Sequence, residues 1–185
     1  MELTEKTLSS QLIFDGKILK VYFDDIELPD GGKATREFIR HVGAVCIVAL
    51  TDDGKIILEK QYRYPFGAVI TEIPAGKLDS KEEDPLCAAS RELKEETGVS
   101  AREMIYLGDF YPACAYSDEI IRIFLARGLS FGETSLDEDE FINVEKVPLE
   151  EAVRDIMEGK IKDGKTQAAV LKAFYYINDR AVSPF

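Results

Sequence analysis

The chain has 185 residues, 45% of them hydrophobic, and a formal net charge of −12. That length and apolar content suit one globular domain, or one with a small appendage, and allow a sizeable core. The acidic excess argues against a nucleic-acid backbone or an anionic membrane as the main partner, and an anionic small molecule would need local arginines or a metal to hold it. Cys46, Cys87 and Cys114 are scattered, form no C-x-x-C pair and are joined by a single histidine, His41, so neither a zinc centre nor a disulfide framework is expected. Such thiols suit a reduced, cytoplasmic protein. Met1 to Ser10 is polar and no apolar run approaches membrane-spanning length, so no signal peptide or membrane span is expected.

Residues 1–41 read as a small β unit. Leu12-Ile13-Phe14, the turn Asp15-Gly16-Lys17 and the stretch Ile18 to Leu28 predict a hairpin, Pro29-Asp30-Gly31-Gly32 a second turn, and Ala34 to Arg40 a third strand. Three short strands bury too little to be stable alone, so they are expected to dock, on the same chain or on a second copy. Val42 to Leu50 is a continuous apolar run, as in a central strand covered on both faces. Asp52-Asp53-Gly54 turns the chain back into the partner strand Lys55 to Gln61. Arg63 follows in Tyr62-Arg63-Tyr64-Pro65, either a surface arginine or a guanidinium fork for phosphate. Val69 to Ile73 then leads, through Glu72, into Pro74-Ala75-Gly76.

Residues 84–98 predict a helix. Asp84 caps its start, Pro85 suits its first position, and Gly98 sits where a left-handed stop is cheap. Leu86, Ala89, Leu93 and Thr97 recur at helical spacing towards the core, with Ala88, Arg91, Glu92, Glu95 and Glu96 on the other side. These acids repel one another and lie near the helix C-terminus, where the dipole disfavours negative charge. Clustered carboxylate oxygens of this kind suit a hard divalent cation, magnesium above all.

Gly76, Glu83, Arg91, Glu92, Leu93, Glu95, Glu96, Gly98 and Val99 together resemble the signature of the Nudix hydrolases, G-x5-E-x7-R-E-U-x-E-E-x-G-U with U aliphatic. One extra residue separates Gly76 from Glu83. Alternatively Glu82 takes the glutamate place and the second gap is one too long, but Glu83 keeps Asp84-Pro85 in register with the helix start. The resemblance implies an α/β fold, a Nudix-type α/β/α sandwich with a mixed sheet, over residues 42–185. It also implies that the appendage of residues 1–41 packs across a two-fold dimer, as in the ADP-ribose pyrophosphatase branch. Glu92, Glu96 and the carbonyl of Ala75 would hold the metal, Mg2+ or Mn2+. Glu95 would ligate it or touch its water, Glu83 would be an accessory ligand, and Arg91 would orient the carboxylates. Arg63 and Arg36 fall where that branch contacts the diphosphate or the rest of its substrate.

Glu103 to Phe110 and Ile120 to Ala126 predict two more strands. The loop between them has Ala113-Cys114-Ala115 where the branch often carries Ser-Pro-Gly, and it keeps Ser117-Asp118-Glu119. Glu119 is a candidate contact for the base or ribose, or else a charge at a strand edge. The acidic stretch Asp137-Glu138-Asp139-Glu140 would by composition be a solvated tip. By resemblance it is a loop closing over the metal, with Glu138 as catalytic base and Glu140 assisting the metal; a shift of two residues would exchange them. Phe141 to Lys146 predicts a strand, Pro148 to Glu158 an amphipathic helix closed by Gly159, Asp163-Gly164 a turn, and Thr166 to Ile177 the last helix.

The implied activity is metal-dependent hydrolysis of the diphosphate bond of ADP-ribose or a related nucleoside diphosphate derivative, giving AMP and ribose 5-phosphate. NADH, a nucleotide sugar such as GDP-mannose, or a dinucleoside polyphosphate is the alternative substrate. A non-hydrolytic ADP-ribose sensor is a further alternative, against which Glu92, Glu95 and Glu96 are all present.

Overall fold

A computed structural model describes residues 2–136 and 140–179. The chain divides into two compact units, Met1–Val42 with Tyr111–Glu119, and Gly43–Phe110 with Ile120–Phe185.

In the first unit, β1 (Lys6–Asp15), β2 (Lys20–Glu27) and β3 (Lys33–Arg40) form an antiparallel sheet in that order. β1 starts well before the apolar Leu12-Ile13-Phe14, because its polar half pairs with β2 through the backbone, which composition does not reveal. The loop 111–119 is tied to β3. The Ile39 N–H donates to the Tyr116 carbonyl (2.8 Å), and the Asp118 carboxylate accepts the His41 N–H (2.6 Å). Leu8, Leu12, Ile13, Phe14, Ile18 and Leu19 are all exposed.

The second unit contains β4 (Ala44–Ala49), β5 (Lys55–Arg63), β6 (Ala68–Glu72), β7 (Ala75–Lys77), α1 (Pro85–Thr97), β8 (Val99–Phe110), β9 (Ile121–Phe131), β10 (Ile142–Pro148), α2 (Leu149–Met157) and α3 (Gly164–Asn178). β7-β4-β9-β8 is a mixed sheet in which β4 runs parallel to β9 and antiparallel to β7. β10-β5-β6 is antiparallel throughout. Every residue of β4 is buried, as its unbroken apolar run requires. Strand alternation then sorts them: Val45, Ile47 and Ala49 pack with Ala88, Ala89 and Leu93 of α1, while Cys46 and Val48 pack with Ala169, Val170 and Ala173 of α3 and Ala152 and Ile156 of α2. The mixed sheet therefore has α1 on one face and α2 and α3 on the other, which is the expected α/β/α sandwich. Burial in an apolar layer pushes the Cys46 thiol up to about 12, so it stays a neutral core residue.

Three local expectations shift. On α1, Ala88 is fully buried and Leu86 is exposed, the reverse of the predicted faces. The buried stripe runs Ala88, Ala89, Leu93, Glu96 and Thr97, so it also takes in an acid. β8 and β9 extend beyond the predicted Glu103–Phe110 and Ile120–Ala126, because their outer, half-exposed residues pair with each other rather than with the core. α3 begins at Gly164 rather than Thr166, since Asp163 is its cap and not part of a turn: its carboxylate accepts the Thr166 N–H (2.9 Å).

Candidate active site

The site is assembled where β7 meets the C-terminal half of α1. Asp84 caps α1 by accepting from the Leu86 and Cys87 N–H groups (2.9 and 3.0 Å), and Gly98 ends it at φ 69°, where a Cβ would collide with the Gly132 carbonyl. β7 is held to β4 through Val45 and Cys46, and the Ile47 N–H donates to the Pro74 carbonyl (2.9 Å). The Ala75 N–H donates to the Glu96 carboxylate (3.0 Å). At Gly76 a Cβ would overlap the Glu92 carboxyl group, so only glycine leaves that carboxyl where it stands against β7. Two pieces of the signature that are far apart in sequence thus become one surface.

Arg91 organises the acids around it. Its Nη1 donates to Glu92 Oε1 (2.8 Å) and Glu95 Oε2 (3.2 Å), and its Nε and Nη2 reach Glu83 (3.3 Å). Burial opposes its charge, but Glu92, Glu83 and Asp79 outweigh burial and hold the guanidinium more firmly protonated than usual. Glu83 also accepts the Asp79 N–H (2.6 Å), while the neighbouring Glu82 N–H bonds Ser80. Glu83 is thus the glutamate that reaches Arg91.

Behind this surface lie two buried acids, Glu59 and Glu72, directly paired across β5 and β6. Their environments push them in opposite directions. Burial alone would raise the Glu72 carboxyl, but Arg63 and Lys165 prevail and hold it below the usual range. Arg63 Nε and Nη2 donate to its two oxygens (2.6 and 2.8 Å), and Lys165 Nζ donates to Oε2. Glu59 has no such support: its Oε1 has no hydrogen-bond partner among the described residues. Burial, then the charge of Glu72, lifts its carboxyl to about 8. Burial, then the charge of Glu59, lifts Glu96 to about 9 despite the Ala75 N–H, and Glu92 and Glu140 push in the same direction. Glu92 is also raised, by burial first, against the pull of Arg91. The cluster is short of positive charge.

A divalent cation fits this donor set. The Glu92 and Glu96 carboxylates and the Ala75 carbonyl offer only oxygen, and an unpartnered buried Glu59 oxygen stands within the same field of charge. Among the described residues no three acidic, histidine or cysteine side chains are already gathered into a coordination shell. Glu92 is committed to Arg91 and Glu96 to the Ala75 N–H.

The structure therefore brings together Ala75, Glu83, Arg91, Glu92, Glu95 and Glu96. Glu140 is half-buried, and its charge acts on Glu59, Glu92 and Glu96. The stretch leading to it is pinned to the end of α1: the Ser135 N–H donates to the Glu95 carbonyl (2.9 Å) and the Gly132 N–H to that of Gly98 (2.8 Å). Glu138, with Asp137 and Asp139, lies outside the described residues. Arg63 is bound to Glu72, and its side chain remains 41% exposed. Arg36 and Glu119 belong to the first unit, where Arg36 pairs with Glu5 and Glu119 lies 3.7 Å from His41 Nδ1. Glu59 and Lys165 escaped the sequence reading. The one local signal for Glu59 was an acid closing the apolar run Ile56-Ile57-Leu58.

Residues 40–170 match the NUDIX domain family, and residues 5–39 match the nucleoside diphosphate sugar hydrolase N-terminal domain. The chain belongs to the Nudix family and is a hydrolase of that family. It is 45% identical over 170 residues, 91% of each chain, to a protein named ADP-ribose pyrophosphatase from Bacillus subtilis (strain 168). It is 46% identical over 168 residues, 90% of each chain, to the methanol dehydrogenase activator of Bacillus methanolicus. Its fold matches a solved ADP compounds hydrolase with a TM-score of 0.86 over 98% of both chains, at 23% identity.

Proposed function

We propose that this enzyme hydrolyses the diphosphate bond of ADP-ribose or a related nucleoside diphosphate derivative, releasing AMP and ribose 5-phosphate from ADP-ribose, with Mg2+ as its metal. The observation that carries the reading is the close approach of Ala75-Gly76 to Glu92 and Glu96, in a cluster whose carboxyls are raised by burial and then by one another's charge. When bound, the cation supplies positive charge to the phosphate oxygens and makes water more acidic. Glu92, Glu96 and the Ala75 carbonyl hold it. Arg91 keeps Glu92 and Glu95 in place, and Glu83 keeps Arg91 in place. Arg63, through the donors it does not spend on Glu72, binds the diphosphate. Glu138 takes the proton of the attacking water, and Glu140 assists at the metal.

Arg36 and Glu119 of the first unit are the remaining candidates for substrate contact. The reading extends to a cytoplasmic homodimer formed through the N-terminal sheet, supported by the exposed Leu12, Ile13, Phe14, Ile18 and Leu19; gel filtration showing only monomer would count against it.

A substrate panel tests the function. ADP-ribose, NADH, GDP-mannose and a dinucleoside polyphosphate are incubated with and without Mg2+, and phosphate is measured after a coupled phosphatase. Fastest release from ADP-ribose, abolished by chelation, is expected. Binding of ADP-ribose without cleavage would overturn the enzymatic reading in favour of a sensor.

A further inference from the structure

Lys165 is a buried cation that the reaction described above does not use. It lies in the first turn of α3, the end of a helix where the dipole disfavours positive charge, with only 12% of its side chain exposed. Burial works against its charge, yet Asp163 and Glu72 overcome burial and keep it protonated more firmly than a free lysine. Asp163 accepts from Lys165 (3.1 Å) with the same oxygen that accepts the Thr166 N–H and hydroxyl (2.9 and 2.6 Å). The Thr166 hydroxyl in turn accepts the Ile73 N–H (3.0 Å). One helical turn therefore grips the last residue of β6 and the one after it, through the Glu72 side chain and the Ile73 backbone. Those residues lead directly into Pro74-Ala75-Gly76.

Glu72 passes this constraint on. Both of its oxygens are taken by Arg63, in the parallel two-bond arrangement that fixes the plane of a guanidinium. Nη1 of Arg63 makes no hydrogen bond among the described residues, so the fork has one edge anchored and one edge available. The anchor depends on a second cation. Glu72 sits opposite Glu59 on the neighbouring strand, and two buried carboxyls side by side cannot both stay ionised without a counter-charge. Lys165 supplies a second counter-charge at Oε2, the oxygen that also accepts from Arg63 Nη2.

We propose that Lys165 is a positioning residue for substrate binding: from the first turn of α3 it fixes Glu72, and through Glu72 it directs the available edge of Arg63 at the diphosphate. The inference rests on the reading of Arg63 as the diphosphate clamp. It gives α3 a role in binding beyond covering the sheet.

The test is a double-mutant cycle on the full chain with Lys165→Met, Lys165→Arg, Arg63→Ala and the double variant Lys165→Met/Arg63→Ala. Steady-state kinetics are run with ADP-ribose at saturating Mg2+, and ADP-ribose binding in chelator is measured by calorimetry. Arg63→Ala is expected to raise KM by about tenfold or more, and Lys165→Met by about five- to tenfold with kcat within about threefold of wild type. Lys165→Arg restores most of the loss, and the double variant is no worse than Arg63→Ala alone, because Lys165 acts only through Arg63. The calorimetric affinities follow the same pattern. If Lys165→Met is unfolded at the assay temperature, Glu72→Gln, which keeps the shape and one acceptor oxygen, is expected to raise KM by the same route.

A Lys165→Met effect that multiplies onto that of Arg63→Ala, or a KM within twofold of wild type, overturns the proposal while leaving the clamp intact. An Arg63→Ala variant with wild-type KM and affinity overturns the clamp, and the positioning role with it. Failure of the wild type to cleave ADP-ribose overturns the functional reading alone, because the calorimetric cycle still decides the role of Lys165.

Discussion

Replacing Glu59 by glutamine should stabilise the metal-free protein, and only at neutral to alkaline pH. Glu59 is buried, one of its oxygens has no partner among the described residues, and burial together with Glu72 lifts its carboxyl from 4.5 to about 8. Between those two pH values the folded state keeps a proton that the unfolded state has released. Stability is therefore full below pH 4.5 and falls as pH rises towards 8. At about 1.4 kcal/mol per pH unit the ceiling of this loss is about 5 kcal/mol. Glu96, raised by burial and by Glu59, shares the same strain, so removing Glu59 alone is expected to recover about 1–3 kcal/mol at pH 8. For a chain of this length that corresponds to a Tm increase of roughly 3–10 °C. The assay is thermal unfolding of wild type and Glu59→Gln in chelator from pH 5 to pH 9. The two curves should be close at pH 5, diverge as pH rises towards 8 and keep a constant gap beyond it, and saturating Mg2+ should shrink the gap by supplying positive charge. An offset that does not change with pH, or a less stable variant at pH 8, would refute the reasoning.

The other predictions concern the catalytic surface. Gly76→Ala places a methyl group on the Glu92 carboxyl, so metal-dependent turnover should fall by about a hundredfold or more while the Tm changes little, read by kinetics beside a thermal melt. Glu92→Gln and Glu96→Gln should each abolish most Mg2+-dependent activity and weaken Mg2+ binding in calorimetry; full turnover in both variants would move the metal elsewhere. Glu138→Gln should lower kcat by about 10²–10⁴-fold with little change in KM. An unchanged maximal rate would transfer the base role to a neighbour such as Glu140.

What the sequence determined by itself was local. Asp84, Pro85 and Gly98 mark the ends of α1 through interactions within a few residues, and Arg91, Glu92, Glu95 and Glu96 are placed relative to one another by helical spacing alone. The unbroken apolar run of β4 likewise announced a strand covered on both faces. Tertiary structure decided whatever depends on partners far along the chain. Which side of α1 is buried depended on the sheet it meets, which takes Ala88 and Glu96 and leaves Leu86 outside. Glu59 became a strained acid because packing buries it and because the β5–β6 register sets it against Glu72, whose carboxylate takes the bonds of Arg63 and Lys165. The link from Lys165 to Glu72 spans 93 residues, so no sequence window contains both. Helical and strand periodicity report the faces of single elements; the balance of buried charge depends on how those elements pack, and only the folded chain sets it.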